Sequence, residues 1–404
     1  MKELRGFWTG QESTIRVRKM PKKVYLFYEF LSEQGGLERE LINHANMLKD
    51  EGYEVKILTC HLNPKILKEL PFAGLKVEAI PKIHTKFEII NLAQCALGFH
   101  KLKDYNPDAF LVYSFPTNFL VRNKKAKKIN YMNHFLHAYH MPWSERIEWA
   151  SGTQGIKRWV SVIASPFLSG WLTRLDKRLV KKNDLRFANS EFTKKRLDKL
   201  YRINSIVSYP PLDPRFNSPS KKKMKEKFIF SSSRIIPDKK YELLIDAMQY
   251  MENKVPLFLA GSVEDSYKNI LEDRAHKNKI TLKFLGRLNT EEIKDYYTNA
   301  LVFAFPTPGE DFGLVPAESM ACGTPVVVWG DGAGPTEQVI DGITGYHAKP
   351  YDLKGYAKKI DTILDNNLKS RNRLKIINNA KRFSYSEIKK GFLKEVNKLL
   401  SFRS

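Results

Sequence analysis

The chain has 404 residues, 42% of them hydrophobic, and a formal net charge of +24. That length suggests two domains, and no uncharged apolar run reaches the about 18 residues needed to span a bilayer. The charge calls for anionic partners and admits nucleic acid, an acidic membrane surface or phosphorylated substrates. Residues 1–20 mix Lys, Arg, Glu and Thr around Phe7 and Trp8 and lack the apolar centre of a signal peptide, so a cytoplasmic chain is expected. Cys60, Cys95 and Cys322 are odd in number and contain no Cys-x-x-Cys pair, which predicts small buried hydrophobes rather than disulfides or a zinc site. No zinc finger, basic zipper or RNA-recognition signature is present, which leaves nucleic acid the weaker option.

Along the chain, apolar runs alternate with helix-like stretches over residues 24–208 and again over 228–347. This order predicts an α/β protein with parallel, doubly wound sheets covered by helices on both faces. Residues 24–30 read as a strand, Gly35-Gly36 as a turn, 37–50 as a helix ended by Gly52, and 54–59 as the next strand. Further strands are expected at 76–80, 109–113, 129–133, 186–189 and 205–208. Tyr209-Pro210-Pro211-Leu212-Asp213-Pro214 can continue neither a helix nor a central strand and marks the domain boundary. Strands then restart at 228–232, 257–260, 280–284, 301–305 and 326–328. The expected units are an extension (1–20), a first domain (21–210), a second (211–384) and a terminal segment (385–404).

The densest chemistry lies in the second unit. In Phe305-Pro306-Thr307-Pro308-Gly309-Glu310-Asp311-Phe312-Gly313-Leu314-Val315-Pro316-Ala317-Glu318 a buried strand stops, a loop follows, and a helix runs to Cys322 before Gly323. Free N–H groups near Gly313, Leu314 and Val315 would point out of the helix start and favour an anion such as a diphosphate. Taken singly, Glu310 reads as a solvated loop residue and Glu318 as a helix residue complementing the dipole. A second strand-to-helix loop, Ser231-Ser232-Ser233-Arg234-Ile235-Ile236-Pro237-Asp238-Lys239-Lys240, is also placed for an anion. Its plain reading is a pair of surface cations. Gly330-Asp331-Gly332-Ala333-Gly334-Pro335-Thr336-Glu337 alone is a flexible turn with a helix-starting proline. In the first unit, Gly35-Gly36 admits a close approach to a phosphate or acceptor but is more simply a turn, and His134 ends a strand facing the cleft.

Glu310 and Glu318 at this spacing, with Phe-Gly between and Ala-Cys-Gly-Thr-Pro-Val-Val after, resemble the nucleotide-sugar site of glycosyltransferase family four. The resemblance runs from about residue 21 onward and implies the GT-B fold, two Rossmann-like domains facing a cleft. It implies that residues 387–400 form a helix crossing back to the first domain. By resemblance, Glu310 faces the donor sugar and Glu318 binds the ribose hydroxyls. Arg234 and Lys239 match the cations that hold the donor diphosphate. Lys240 stands where the family usually has glycine, which leaves open which lysine reaches the phosphate. Gly286 and Arg287 fall where backbone contacts to the base are made, the segment from Gly330 to Glu337 closes the donor pocket with Glu337 as a contributor, and His134 touches the donor sugar.

The resemblance further implies transfer of a hexose with retention, assisted by the leaving phosphate. Preorganised cations stabilise the charge that grows there. No metal or other cofactor is expected, since Arg234 and Lys239 neutralise the diphosphate and no Asp-x-Asp motif is present. The motif is most similar to the mannosyltransferase branch, so GDP-mannose leads as donor and UDP-glucose follows. For the acceptor, residues 158–182 hold an uncharged, Trp-bordered stretch followed by Lys177, Arg178, Lys181 and Lys182. It reads either as a core helix pair broken by Pro166 or as an interfacial segment on acidic lipid, which would suit a lipid-linked glycan acceptor and a peripheral position at the membrane. The competing readings are a basic nucleic-acid-binding protein on an α/β scaffold and a non-catalytic sugar-nucleotide-binding partner subunit.

Overall fold

A computed structural model describes residues 21–32, 35–69, 72, 74–133 and 165–401, with side chains of residues 165–169 outside the description. The extension at 1–20, His134 and the first part of the 158–182 stretch lie outside the described residues.

The first domain is built on β1 (Lys23–Leu31), β2 (Glu54–Leu62), β3 (Lys76–Ala79), β4 (Ala109–Val112), β5 (Lys127–Met132), β6 (Leu185–Ala188) and β7 (Ile206–Val207). They form one parallel sheet in the order β3-β2-β1-β4-β5-β6-β7. Its central strands are buried on both faces, as in β4, where Ala109, Phe110, Leu111 and Val112 are all fully buried. Continuous apolar runs are what a parallel sheet covered on both sides demands. The second domain repeats the design with β8 (Ile229–Ser232), β9 (Leu257–Ala260), β10 (Leu282–Gly286), β11 (Val302–Ala304), β12 (Val326–Trp329) and β13 (Gly345–Ala348). Their order is β10-β9-β8-β11-β12-β13, again all parallel. In each sheet the order reverses once, at β1/β4 and at β8/β11. Loops leaving the carboxyl ends of strands diverge at such a point and leave a crevice.

The last helix, Tyr385–Ser401, belongs to the first domain's core although it follows the second in sequence. Ile388, Phe392, Leu393, Val396 and Leu400 join the hydrophobic cluster of β1, β2 and the Gly36–Asp50 helix. Phe392 stacks on His44 at 4.6 Å and lies 5.2 Å from Phe187. Lys389 pairs with Asp50 at 2.9 Å, and Tyr53 donates to Asn397. The Ser165–Lys181 helix sends Leu179 and Val180 into the core, and Tyr201 donates to its buried Asp176 at 2.7 Å, while Trp171 is 62% exposed. Cys60, Cys95 and Cys322 are buried and form no disulfide.

Candidate functional site

The carboxyl ends of the two sheets face each other across a cavity of about 920 Å³. Every loop that lines it leaves a strand. Ser32 and Gly36 follow β1, Asn133 follows β5, Asn189 follows β6, Arg234 follows β8 and Gly261 follows β9, while Glu310 to Val315 follow β11. The cavity therefore occupies both switch points at once.

On the second-domain wall, the Glu310 loop is bent by left-handed glycines, Gly309 at φ 65° and Gly313 at φ 67°. A Cβ on Gly313 would sit 3.1 Å from Glu310 Cγ, so glycine lets the loop fold back against its own glutamate. Gly313 is also the N-cap of the Leu314–Ala321 helix, whose first N–H groups open into the cavity with Leu314 and Val315 on its lining. Behind the loop, Gln338 Nε2 donates to the carbonyls of Phe312 and Gly313 at 2.6 and 2.8 Å. Gly334 N donates to the Glu310 carbonyl at 2.9 Å, and a Cβ on Gly334 would overlap Asp311 and Phe312. The segment from Gly330 to Gly334 thus braces the loop from outside.

Glu318 is 6% exposed and accepts a hydrogen bond from Tyr297 at 2.9 Å. Burial pushes its carboxyl up, and the charge of Arg39 from the opposite domain opposes that shift. Lys239 Nζ lies 2.6 Å from Glu310 Oε2, so two residues expected to hold a donor pair with each other. Lys239 is fixed by the Pro237–Lys239 turn, and its carbonyl accepts from Thr307 at 3.1 Å. Of the two adjacent lysines, Lys239 is the one at Glu310. Lys240 has φ 54°, a left-handed backbone that explains why glycine suits this position. Arg234 is exposed, lines the cavity and pairs with no acid among the described residues.

Asp311 forms an ion pair with Arg196 of the first domain at 3.2 Å. Burial pushes its carboxyl up to about 7, helped by neighbouring Glu310 and opposed by Arg196 and Lys239. Glu337 requires a correction. Expected at the donor pocket, it is absent from the cavity lining and instead accepts from Glu191 N at 3.1 Å and Tyr209 Oη at 3.2 Å. It caps the start of the Glu191–Tyr201 helix and ties the two domains together. Gly286, at φ 69°, lies behind the wall with its carbonyl accepting from Gly261 N at 2.8 Å, while Arg287 lines the cavity.

On the first-domain wall, Gly36 lines the cavity and Gly35 caps the helix behind it. Gly261, Arg39 and Glu40 are among the lining residues to which the sequence reading gives no role. Gly261, at φ 146°, would place a Cβ 1.8 Å from Ser233 O, so only glycine lets the loops after β8 and β9 touch. A glycine directly after the apolar run 257–260 is the signal. Arg39 and Glu40 follow Gly35-Gly36 on the helix and both line the cavity.

Residues 34–216 match the family described as Glycosyltransferase Family 4, and residues 213–383 match Glycosyl transferases group 1. An uncharacterised glycosyltransferase of Methanocaldococcus jannaschii is 33% identical over 166 residues, 40% of this chain and 41% of the relative. A D-inositol 3-phosphate glycosyltransferase of Mycolicibacterium smegmatis is 29% identical over 147 residues, 35% and 33% of the two chains. These matches thus span less than half the length of either relative. Sucrose-phosphate synthase from Thermosynechococcus elongatus superimposes with a TM-score of 0.73 at 17% identity, over 94% of this chain and 99% of that one. Anabaena HepE, solved in complex with UDP, gives 0.72 at 18%, over 93% and 100%. The paired parallel sheets, the crevice at both switch points and two adjoining family matches together make this chain a member of glycosyltransferase family four with the GT-B fold.

Proposed function

We propose that the chain transfers a hexose from a nucleoside-diphosphate sugar to a hydroxyl of a glycan or lipid-linked saccharide, with retention at the anomeric carbon. One observation carries this reading: exposed Arg234 and the free helix start at Gly313 share a cavity with buried Glu318. The first two suit a diphosphate and the third suits ribose hydroxyls. Arg234, together with Lys239 once it parts from Glu310, stabilises the leaving phosphate, so no metal ion is required. Mannose is the preferred hexose, on the wording of the Glu310 to Pro316 segment alone. HepE was solved with UDP, which keeps uridine donors in the test.

A thermal-shift panel of GDP-mannose, UDP-glucose and an ADP-sugar tests the donor, because ligand at 100 times its Kd stabilises by about 2.7 kcal/mol. A shift with one of them, followed by nucleotide release that persists in EDTA, is the expected result. No shift with any sugar nucleotide, or EDTA inactivation reversed by manganese, overturns it.

A peripheral position on an anionic membrane completes the reading. Among the described residues no helix is long and apolar enough to cross a membrane. Beside the cleft, Ile83, Phe87, Ile89, Ile90, Leu97 and Phe99 are 47–75% exposed, with Lys82, Lys86, Lys101 and Lys103 around them. Ser32 of the cavity wall donates to Glu88 in the middle of this patch. Apolar side chains ringed by cations suit the headgroup region of acidic lipid. Flotation with anionic vesicles at low salt, abolished by Phe87→Ser with Ile90→Ser, is expected; equal flotation of that variant removes the patch from the reading.

A further inference from the structure

The loop from Gly309 to Gly313 is anchored almost residue by residue, and its anchors do not all belong to one domain. Left-handed glycines at both ends, φ 65° and 67°, make it a short span between two turns. Within the second domain, Asp331 accepts from Gly309 N at 2.8 Å, and Gly334 N donates to the Glu310 carbonyl at 2.9 Å. Gln338 Nε2 donates to the carbonyls of Phe312 and Gly313. Asp311 differs from its neighbours. Its carboxylate accepts from Arg196 Nη1 at 3.2 Å and its carbonyl from Thr193 Oγ1 at 3.5 Å, both on the Glu191–Tyr201 helix of the first domain.

Asp311 directly follows Glu310, and the two side chains turn opposite ways. Glu310 meets Lys239 of its own domain at 2.6 Å, while Asp311 meets Arg196 of the other. A shift of Asp311 therefore moves the peptide that carries Glu310. Arg196 is steadied by Phe192, one turn earlier on its helix, with the guanidinium 4.8 Å from the ring centre. The start of the same helix donates Glu191 N to Glu337 Oε2 at 3.1 Å, just beyond the brace behind the loop. Arg196 is absent from the cavity lining, so it has no direct route to a ligand there. A pair whose side chains are 34% and 26% exposed also adds little to stability. What it can supply is geometry, since a misplacement of about 1 Å at a reacting group can cost about 10² in rate.

We infer that Arg196 is a positioning residue for glycosyl transfer: acting from the first domain through Asp311, it sets where Glu310 stands against the donor sugar. The role rests on the glycosyl-transfer reading for what Glu310 meets; the tether itself does not. The donor loop takes its working form only when a helix of the opposite domain holds it.

The test compares wild type, Arg196→Ala, Arg196→Lys, Asp311→Asn and the Arg196→Ala, Asp311→Asn double variant as full chains. It is run at about pH 8, above the value of about 7 to which burial raises the Asp311 carboxyl. Hydrolysis of GDP-mannose and UDP-glucose by water reads the donor side without an acceptor. Arg196→Ala should lower kcat by about tenfold, while KM and the Kd of GDP or UDP change less than twofold. Its Tm should fall by less than about 3 °C. Arg196→Lys should come within about threefold of the wild-type kcat, because a single N–H bond to the carboxylate needs no guanidinium fork. In the Asp311→Asn background, Arg196→Ala should cost less than twofold, as residues acting through one contact require. Hydrogen exchange at the Gly309 and Gly334 amides, which the loop's position keeps bonded, should quicken by about threefold in Arg196→Ala. An unchanged kcat, a KM that rises in step with it, or the same tenfold loss in the Asp311→Asn background overturns the positioning role. If the wild type turns over neither sugar nucleotide, the glycosyl-transfer reading fails instead. Amide exchange then decides the tether, which unchanged rates in Arg196→Ala overturn and faster rates support.

Discussion

The two walls of the cleft are built by the same rule and finished differently. Each presents loops from the carboxyl ends of a parallel sheet at its switch point. On the second-domain wall most charged groups are already partnered: Lys239 with Glu310 at 2.6 Å, Asp311 with Arg196 at 3.2 Å, Glu318 with Tyr297 at 2.9 Å. On the first-domain wall Glu40, Asn133 and Asn189 carry unpartnered oxygens. A preorganised wall fixes the geometry of a highly charged ligand before it arrives. A wall with open valences depends on its ligand to complete it.

The sharpest way to break this contrast is Arg234→Ala. If the second-domain wall stabilises a departing phosphate, kcat should fall by about 10² to 10³, as when one preorganised donor to a developing charge is removed; nucleotide release under saturating donor reads it. Gly261→Ala tests the wall's backbone. A Cβ at 1.8 Å from Ser233 O cannot be accommodated without moving a loop, so about 3 kcal/mol of stability should be lost. Calorimetry should record a fall in Tm of roughly 6–12 °C. If Glu318 accepts from the ribose hydroxyls as proposed, Glu318→Ala, which also leaves the Tyr297 hydroxyl without that partner, should raise donor KM by about tenfold with a smaller change in kcat.

The smallest effect concerns pH. Asp311 is held up to about 7 in the folded protein, against about 3.9 when unfolded. A raised folded value means that its contribution to stability is fully present below the unfolded value and is lost as pH rises through 7. Asp311→Asn should therefore flatten the Tm-versus-pH profile between about pH 4 and 7. An unchanged slope would show that Arg196 already holds the carboxylate charged.

Much of this was legible in the sequence because parallel strands buried on both faces must be continuous apolar runs. The runs at 109–113 and 257–260 coincide with β4 and β9 almost to the residue. β13, Gly345–Ala348, went unread because Gly-Tyr-His-Ala is short and half polar, with Tyr346 and His347 only partly buried. At the site, Glu310 and Arg234 stand in loops, and Glu318 in the helix that follows the Glu310 loop, where nearby glycines and prolines announce them. Glu40 is harder to see, since a charged residue in the first turns of a helix reads as solvent-facing. The signal was its spacing: Glu40, His44 and Met47 share one face, and His44 is fully buried. Glu337 was misread for the converse reason. A glycine-rich loop suggests a ligand, but here its acid serves a neighbouring helix start.

The Lys239–Glu310 pair has a bearing on turnover. On the proposed function, a complete sugar nucleotide would compensate both partners, phosphate for the lysine and sugar hydroxyl for the glutamate. A nucleoside diphosphate stripped of its hexose compensates only the lysine. Glu310 is then free to compete for Lys239 from within the protein, at high effective concentration. On the proposed function, the spent nucleotide would be held less firmly than the donor, with the ion pair as an internal rival that hastens its departure.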